Sequence, residues 1–190
     1  MKKVILASSS AMRAKLLRKA GLNFTVIKSG YRERLQARKD PRKLVEFLAL
    51  QKARTVAKKF PKDIVIGADS VMVLDGKVFG KPKGAREHSA MLKKMSGRSH
   101  VMLTGVAIVS AHPRSEKTFS HMARVTFKRL SDNEITSYVR AKEGSLAAGG
   151  YRIQKQAKQF VKNIRGNIDT VIGLPVKETI QRIAAMQREV

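Results

Sequence analysis

Short apolar runs that alternate with period two give way along this chain to longer stretches whose apolar residues recur every three or four positions, a pattern that predicts strands and helices in turn. A buried strand is expected over 3–7. Ser10 then caps a helix reaching about Ala20, with Leu16 and Leu17 facing inward and Gly21 as its stop. A strand over 24–27 and a polar, basic loop over 29–39 follow. Asp40 and Pro41 open a second helix in which Leu44, Val45, Leu48, Ala49, Ala53, Val56 and Ala57 keep one apolar face to about Lys59.

The run 64–74 predicts a strand, and Asp75-Gly76 a hairpin turn before a short strand over 77–79. A helix over 86–95 is expected to stop near Ser96-Gly97. Two long β-branched runs, 100–110 and 118–130, should pair as antiparallel neighbours. Ser131-Asp132-Asn133-Glu134 reads as a capping box opening a helix with Ile135, Tyr138 and Val139. A loop at Ala148-Gly149-Gly150, short strands over 160–164 and 170–172, and a last helix over 176–187 after Gly173-Leu174-Pro175 complete the chain. The predicted class is α/β, with a mixed, twisted central sheet flanked by helices. At 190 residues this is one domain spanning 1–190, built either as a single body or as two lobes sharing a core.

Composition adds a constraint and an exclusion. With 43% hydrophobic residues the chain can build a core, although 40 basic residues against 14 acidic ones give a formal charge of +26. Such a charge draws in polyanions, including nucleic acids without sequence preference. The charge is spread over every predicted element and aromatics are only 5%, so a solvated cationic surface is favoured over a dedicated nucleic-acid tract. No cysteine is present, which excludes disulfides, thiolate zinc sites and cysteine nucleophiles. No apolar run approaches the roughly 20 residues that span a bilayer, and the first residues lack a secretory pattern, so no membrane association and a cytoplasmic location are expected.

Candidate chemistry centres on Asp69, which follows the apolar run 64–68. A carboxylate at such a place is costly unless it is paired or bound to a cation. Gly80-Lys81-Pro82, beginning eleven residues later, is a candidate source of that partner or of a phosphate contact. The bland readings stand beside these: Ser8 and Ser10 as helix caps, Arg13, Lys52 and Lys81 as surface charges among 40, Glu33 as a solvated ion pair. His88, His100, His112 and His121 have no ligand spacing and are expected on the surface or in strands.

Eight separated segments then agree with one another. Leu6-Ala7-Ser8-Ser9-Ser10 with Arg13, Gln51-Lys52-Ala53, Ile66-Gly67-Ala68-Asp69-Ser70, Gly80-Lys81-Pro82, Ser96-Gly97-Arg98, Thr104-Gly105-Val106, Ala148-Gly149-Gly150-Tyr151-Arg152-Ile153-Gln154 and Gly173-Leu174-Pro175 together resemble the Maf family of nucleoside triphosphate pyrophosphatases. The resemblance implies a Maf/inosine-triphosphatase-like fold with two lobes around a cleft. It also implies hydrolysis of a nucleoside triphosphate to the monophosphate and pyrophosphate, assisted by Mg²⁺ or Mn²⁺, in a cytoplasmic homodimer. It assigns Asp69, Lys52 and Lys81 to catalysis and Ser8, Arg13 and Gln154 to substrate binding. Asp69 and Glu33 become the metal carboxylates, and Asp69 is left as general base or metal ligand. Gln154 in Tyr151-Arg152-Ile153-Gln154 is similar to the dTTP/UTP-type branch.

The chain also departs from the family pattern. Ala11-Met12 stands where a helix-opening Pro-Arg is usual, Arg32-Glu33 where Asp-Glu is common, Lys155 where glycine is usual, and Asn167 near an often acidic position. These departures keep open an alternative, a catalytically weakened relative that binds nucleic acid through its charge.

Overall fold

The structure is a computed structural model that describes residues 2–31 and 40–189. In chain order the elements are β1 (Val4–Leu6), α1 (Ala11–Lys19), β2 (Thr25–Val26), α2 (Pro41–Ala57), β3 (Ile64–Leu74), β4 (Lys77–Phe79), α3 (Ala85–Met95), β5 (Ser99–Ser110) and β6 (Ser115–Phe127). They continue with α4 (Asp132–Arg140), two 3₁₀ turns (Ala148–Gly150 and Gln156–Phe160), β7 (Val161–Arg165), α5 (Ile168–Ile172) and α6 (Val176–Glu189). One seven-stranded sheet runs β2-β1-β3-β5-β6-β7, with β4 paired to β3 off this path. β1 is parallel to both β2 and β3, whereas β3–β4 and β6–β7 are antiparallel, so the sheet is mixed as expected. Only residues 111–114 join β5 to β6, too few for a parallel crossover, which makes that pair a hairpin.

The chain divides into two compact units. The first comprises Met1–Asp69, Thr104–His121 and Gly173–Val190. Its strands bury both faces, and period-two alternation sorts the residues. Val4, Leu6, Ile64, Ile66, Ala68, Val106 and Ile108 pack with Ala14 and Leu17 of α1 and Ile183 and Met186 of α6. Ile5, Ala7, Val65, Ala107 and Val109 face the other way, onto Ala49, Ala53, Val56 and Ala57 of α2. The second unit comprises Ser70–Leu103 and Met122–Ile172. Its core joins Met72, Leu74, Met91, Leu92, Met95, Phe127, Tyr138, Tyr151 and Phe160, with the rings of Phe127, Tyr138, Tyr151 and Phe160 meeting edge to face.

Two glycines set how closely α2 lies on the first unit's sheet. A Cβ at Gly67 would sit 2.1 Å from the Ala49 carbonyl oxygen, and one at Gly105 would sit 2.5 Å from that of Val45. The backbones therefore meet with no side chain between them. Gly67→Ala is expected to destabilise the fold by roughly 1–3 kcal/mol through overpacking against main chain that cannot yield. Gly84→Ala, where a Cβ meets nothing within 4 Å, should cost less, no more than about 1 kcal/mol for the loss of a glycine N-cap on α3. Calorimetric melts of the two variants test the contrast.

Local expectations hold where a cap was readable. Ser10 accepts from the Arg13 amide, Asp40 from the Arg42 amide, and Ser131 with Glu134 forms the full capping box. The expected strand over 170–172 is instead part of helix α5. Asn167 overrides the β-branched run: its side chain accepts from the Asp169 amide at 2.8 Å and its carbonyl from the Thr170 amide at 3.1 Å, which starts a helical turn. Phe160 ends a 3₁₀ turn, so the strand expected over 160–164 begins one residue later.

Candidate active site

In the first unit, the chain leaving β1 turns through Ser8, Ser9 and Ser10 into α1. Ser8 is 6% exposed, and its hydroxyl accepts from the Ser10 amide at 3.2 Å. Arg13, in the first turn of α1, donates from Nε to the Gly173 carbonyl at 2.8 Å and from one terminal nitrogen to the Ala68 carbonyl at 2.9 Å and to Ser8 Oγ at 3.3 Å. The sequence pointed this guanidinium at a phosphate. In the fold it ties together the serine turn, the end of the apolar stretch of β3 and the start of the segment leading to α6. Because Ala68 immediately precedes Asp69, Arg13 fixes the backbone from which the carboxylate projects.

Asp69 is 7% exposed and paired with Lys52, whose Nζ lies 2.5 Å from Oδ1. The sequence suggested the Lys81 loop as that partner. Helix α2 supplies it because Gly67 and Asp69, two apart on β3, point to the same face. Ala49, Lys52 and Ala53, at i, i+3 and i+4, share one face of α2. Gly67 lets the helix come within reach, and Lys52 closes onto the carboxylate. The side chains of Lys52 and Asp69 are 12% and 10% exposed, so their mutual pairing compensates charge in a poorly solvated place.

In the second unit, Lys81 and Gln154 are both exposed. The loops that carry them are tied by the Gly149 amide, which donates to the Gly80 carbonyl at 2.9 Å. Lys155, next to Gln154, lies 3.7 Å from Glu143, and its φ of −122° is open to any residue. A lysine in place of the usual glycine therefore costs no backbone strain there. Glu33 and Arg32 lie outside the described residues.

One histidine departs from the expectation of a surface or strand position: His88 is 2% exposed within helix α3. His100, 1% exposed, lies in strand β5, one of the expected places, and both are buried in the second unit. His100 bonds the Tyr151 hydroxyl at 2.8 Å, packs edge to face against Phe127, and is pushed by burial down to about 4, which keeps it neutral in the core. His121 pairs with Glu178 in the first unit.

Among the described residues no three His, Cys, Asp or Glu side chains cluster as a metal cage. The donor chemistry still suits Mg²⁺ or Mn²⁺, which take one or two carboxylates and complete their shell with phosphate oxygens and water. Asp69 is the carboxylate that would hold such a cation. A separate cavity of about 480 Å³ in the first unit is lined by Gln51, Arg54, Lys58, Ser110, Arg114 and Glu116 but by neither Lys52 nor Asp69. Arg54 and Glu116 close its wall with two hydrogen bonds of 2.8 and 2.6 Å. No helix among the described residues is long and apolar enough to cross a membrane.

The family model described as Maf-like protein matches residues 3–186. The chain belongs to the Maf-like family. A relative from Geobacillus sp. (strain WCH70) named dTTP/UTP pyrophosphatase is 42% identical over 183 residues, covering 96% of this chain and 97% of the relative. Relatives of the same name from Bacillus pumilus (strain SAFR-032) and Pelotomaculum thermopropionicum are each 39% identical, over 95% and 93% of this chain and 95% and 92% of their own lengths. A nucleoside-triphosphatase / dITP/XTP pyrophosphatase structure from Mycobacterium abscessus aligns with a TM-score of 0.45 at 18% identity, over 67% of this chain and 75% of that one. For this Maf-like chain, the segments quoted from the sequence thus lie within one matched family span.

Proposed function

We propose that this Maf-like chain hydrolyses a nucleoside triphosphate, dTTP or UTP by preference, to the monophosphate and pyrophosphate with the help of Mg²⁺ or Mn²⁺. The observation that carries the reading is the Lys52–Asp69 pair, held by the Arg13 clamp beside the Ser8 turn in a chain whose relatives are named for that activity. Water attacks the α-phosphorus, the bond between the α-phosphorus and the oxygen bridging to the β-phosphorus breaks, and pyrophosphate departs with that oxygen and the electron pair. Asp69 would hold a divalent cation, which would supply neutralisation of the phosphate charge. Asp69 holds that cation or takes the proton of the attacking water. Lys52 orients the carboxylate, and the Ser8 turn with the first amides of α1 receives phosphate oxygen. The resemblance assigns Lys81 to catalysis, for which a lysine supplies a point charge, and Gln154 to substrate binding, for which an amide suits a pyrimidine edge. The resemblance extends the proposal to a cytoplasmic homodimer.

Pyrophosphate release measured across a panel of nucleotides with Mg²⁺ or Mn²⁺ tests the reading. The expected result is metal-dependent turnover with dTTP and UTP foremost, and turnover lost on chelation with EDTA. The charge of +26 favours a second reading, a non-hydrolysing binder of nucleic acid. Steeply salt-dependent binding with no turnover of any nucleotide is its signature.

A further inference from the structure

A buried histidine outside the proposed chemistry touches the loop that carries Gln154. His88, on α3, has its Nε2 2.5 Å from the Gly150 carbonyl oxygen, and both groups are buried. Because the partner is a carbonyl, Nε2 is the protonated, donating nitrogen. The fit leaves no slack. A Cβ on Gly144 would lie 1.8 Å from that same carbonyl oxygen and 2.9 Å from Nε2, and a Cβ on Gly150, at φ +74°, would lie 2.7 Å from the imidazole Cδ2. Two residues on, the amide of Arg152 donates to the Tyr138 hydroxyl at 3.0 Å, and Tyr138 meets the His88 ring edge to face at 5.7 Å. The segment 149–152 is thus fastened at Gly149 to the Gly80 carbonyl, at Gly150 to His88 and at Arg152 to Tyr138, immediately before Gln154.

We propose that His88 is a positioning residue for nucleobase selection, fixing through the Gly150 carbonyl the loop that presents Gln154 to the base. This rests on the pyrimidine triphosphatase reading above. The chemical step involves Asp69 and Lys52 in the other unit, so the proposal places the effect of His88 on binding and selectivity, not on the bond-breaking rate.

The test compares His88→Leu, His88→Gln and Gly144→Ala in the full chain. Glutamine carries an amide donor near the position of Nε2, leucine carries none, and alanine at 144 pushes the carbonyl off the imidazole. In His88→Leu and Gly144→Ala, KM for dTTP and UTP should rise about tenfold with kcat within about threefold, and preference over purine triphosphates should fall. His88→Gln should restore both to within about twofold of the parent. Hydrogen exchange of the peptide covering 149–156 should speed up in the leucine and alanine variants and stay near parental in the glutamine variant. Unchanged KM and exchange in His88→Leu, or equal losses in leucine and glutamine variants, overturn the proposal, as does a lowered melting temperature with selectivity intact. If no nucleotide is turned over, the pyrophosphatase reading fails, and the exchange arm still decides whether His88 holds the loop.

Discussion

Asp69→Asn is expected to remain folded and to lose pyrophosphate release by about 10²- to 10⁴-fold, the range that a positioned acid–base group or its equivalent contributes. Asparagine has nearly the shape of aspartate and keeps a carbonyl oxygen where Lys52 Nζ now lies, 2.5 Å from Oδ1. What disappears is the negative charge. A neutral amide neither accepts the proton of an attacking water nor holds a divalent cation well, so both roles open to Asp69 end with the same substitution. Metal titration separates them. Partial recovery of the variant at high Mn²⁺ identifies a ligand, whereas a loss independent of metal concentration identifies a base. Turnover equal to the parent would contradict any role of Asp69 in the reaction.

Lys52→Met should destabilise the protein by about 3 kcal/mol, because removing one member of a buried ion pair leaves the other charge in a poorly solvating site. For a chain of this size that is a fall of roughly 6–12 °C in melting temperature. The methionine keeps most of the aliphatic stem, so the loss reports charge more than packing. The double variant Lys52→Met/Asp69→Asn should regain at least about 1 kcal/mol over Lys52→Met alone, since no charge is then stranded, while its pyrophosphate release stays at the level of Asp69→Asn. Stability and activity would then separate in one cycle. Should the double variant be no more stable than Lys52→Met, the two residues are not coupled and the short contact does not organise the site.

These expectations rest on a site only partly legible in the chain. Ser10, Asp40 and the 131–134 box announced their helices because a cap is a contact between near neighbours, and the apolar face of α2 was readable for the same reason. Asp69 drew notice because an acid after five apolar residues is costly wherever it folds. Its partner was left open. Lys81, twelve positions away, was as eligible as Lys52, seventeen away, and nothing in the linear order prefers one. An isolated glycine inside a strand does signal close backbone approach, and Gly67 was such a signal for α2. His88 and His100 gave none. A histidine reads alike on a surface and in a core until its hydrogen-bond partners are known, and theirs are 62 and 51 positions away.

What the sequence determined by itself is most of the elements, the caps of three helices, the apolar face of α2, and the family to which they belong. Those follow from interactions between residues a few positions apart and from segment patterns that survive in linear order. The tertiary structure decided which cation meets Asp69, that Arg13 spends its donors on the carbonyls of Ala68 and Gly173, and that a histidine holds the loop before Gln154. Each of these is a pairing between distant segments, and the chain selects it only once folding brings those segments together and buries a charge or a carbonyl that needs a partner.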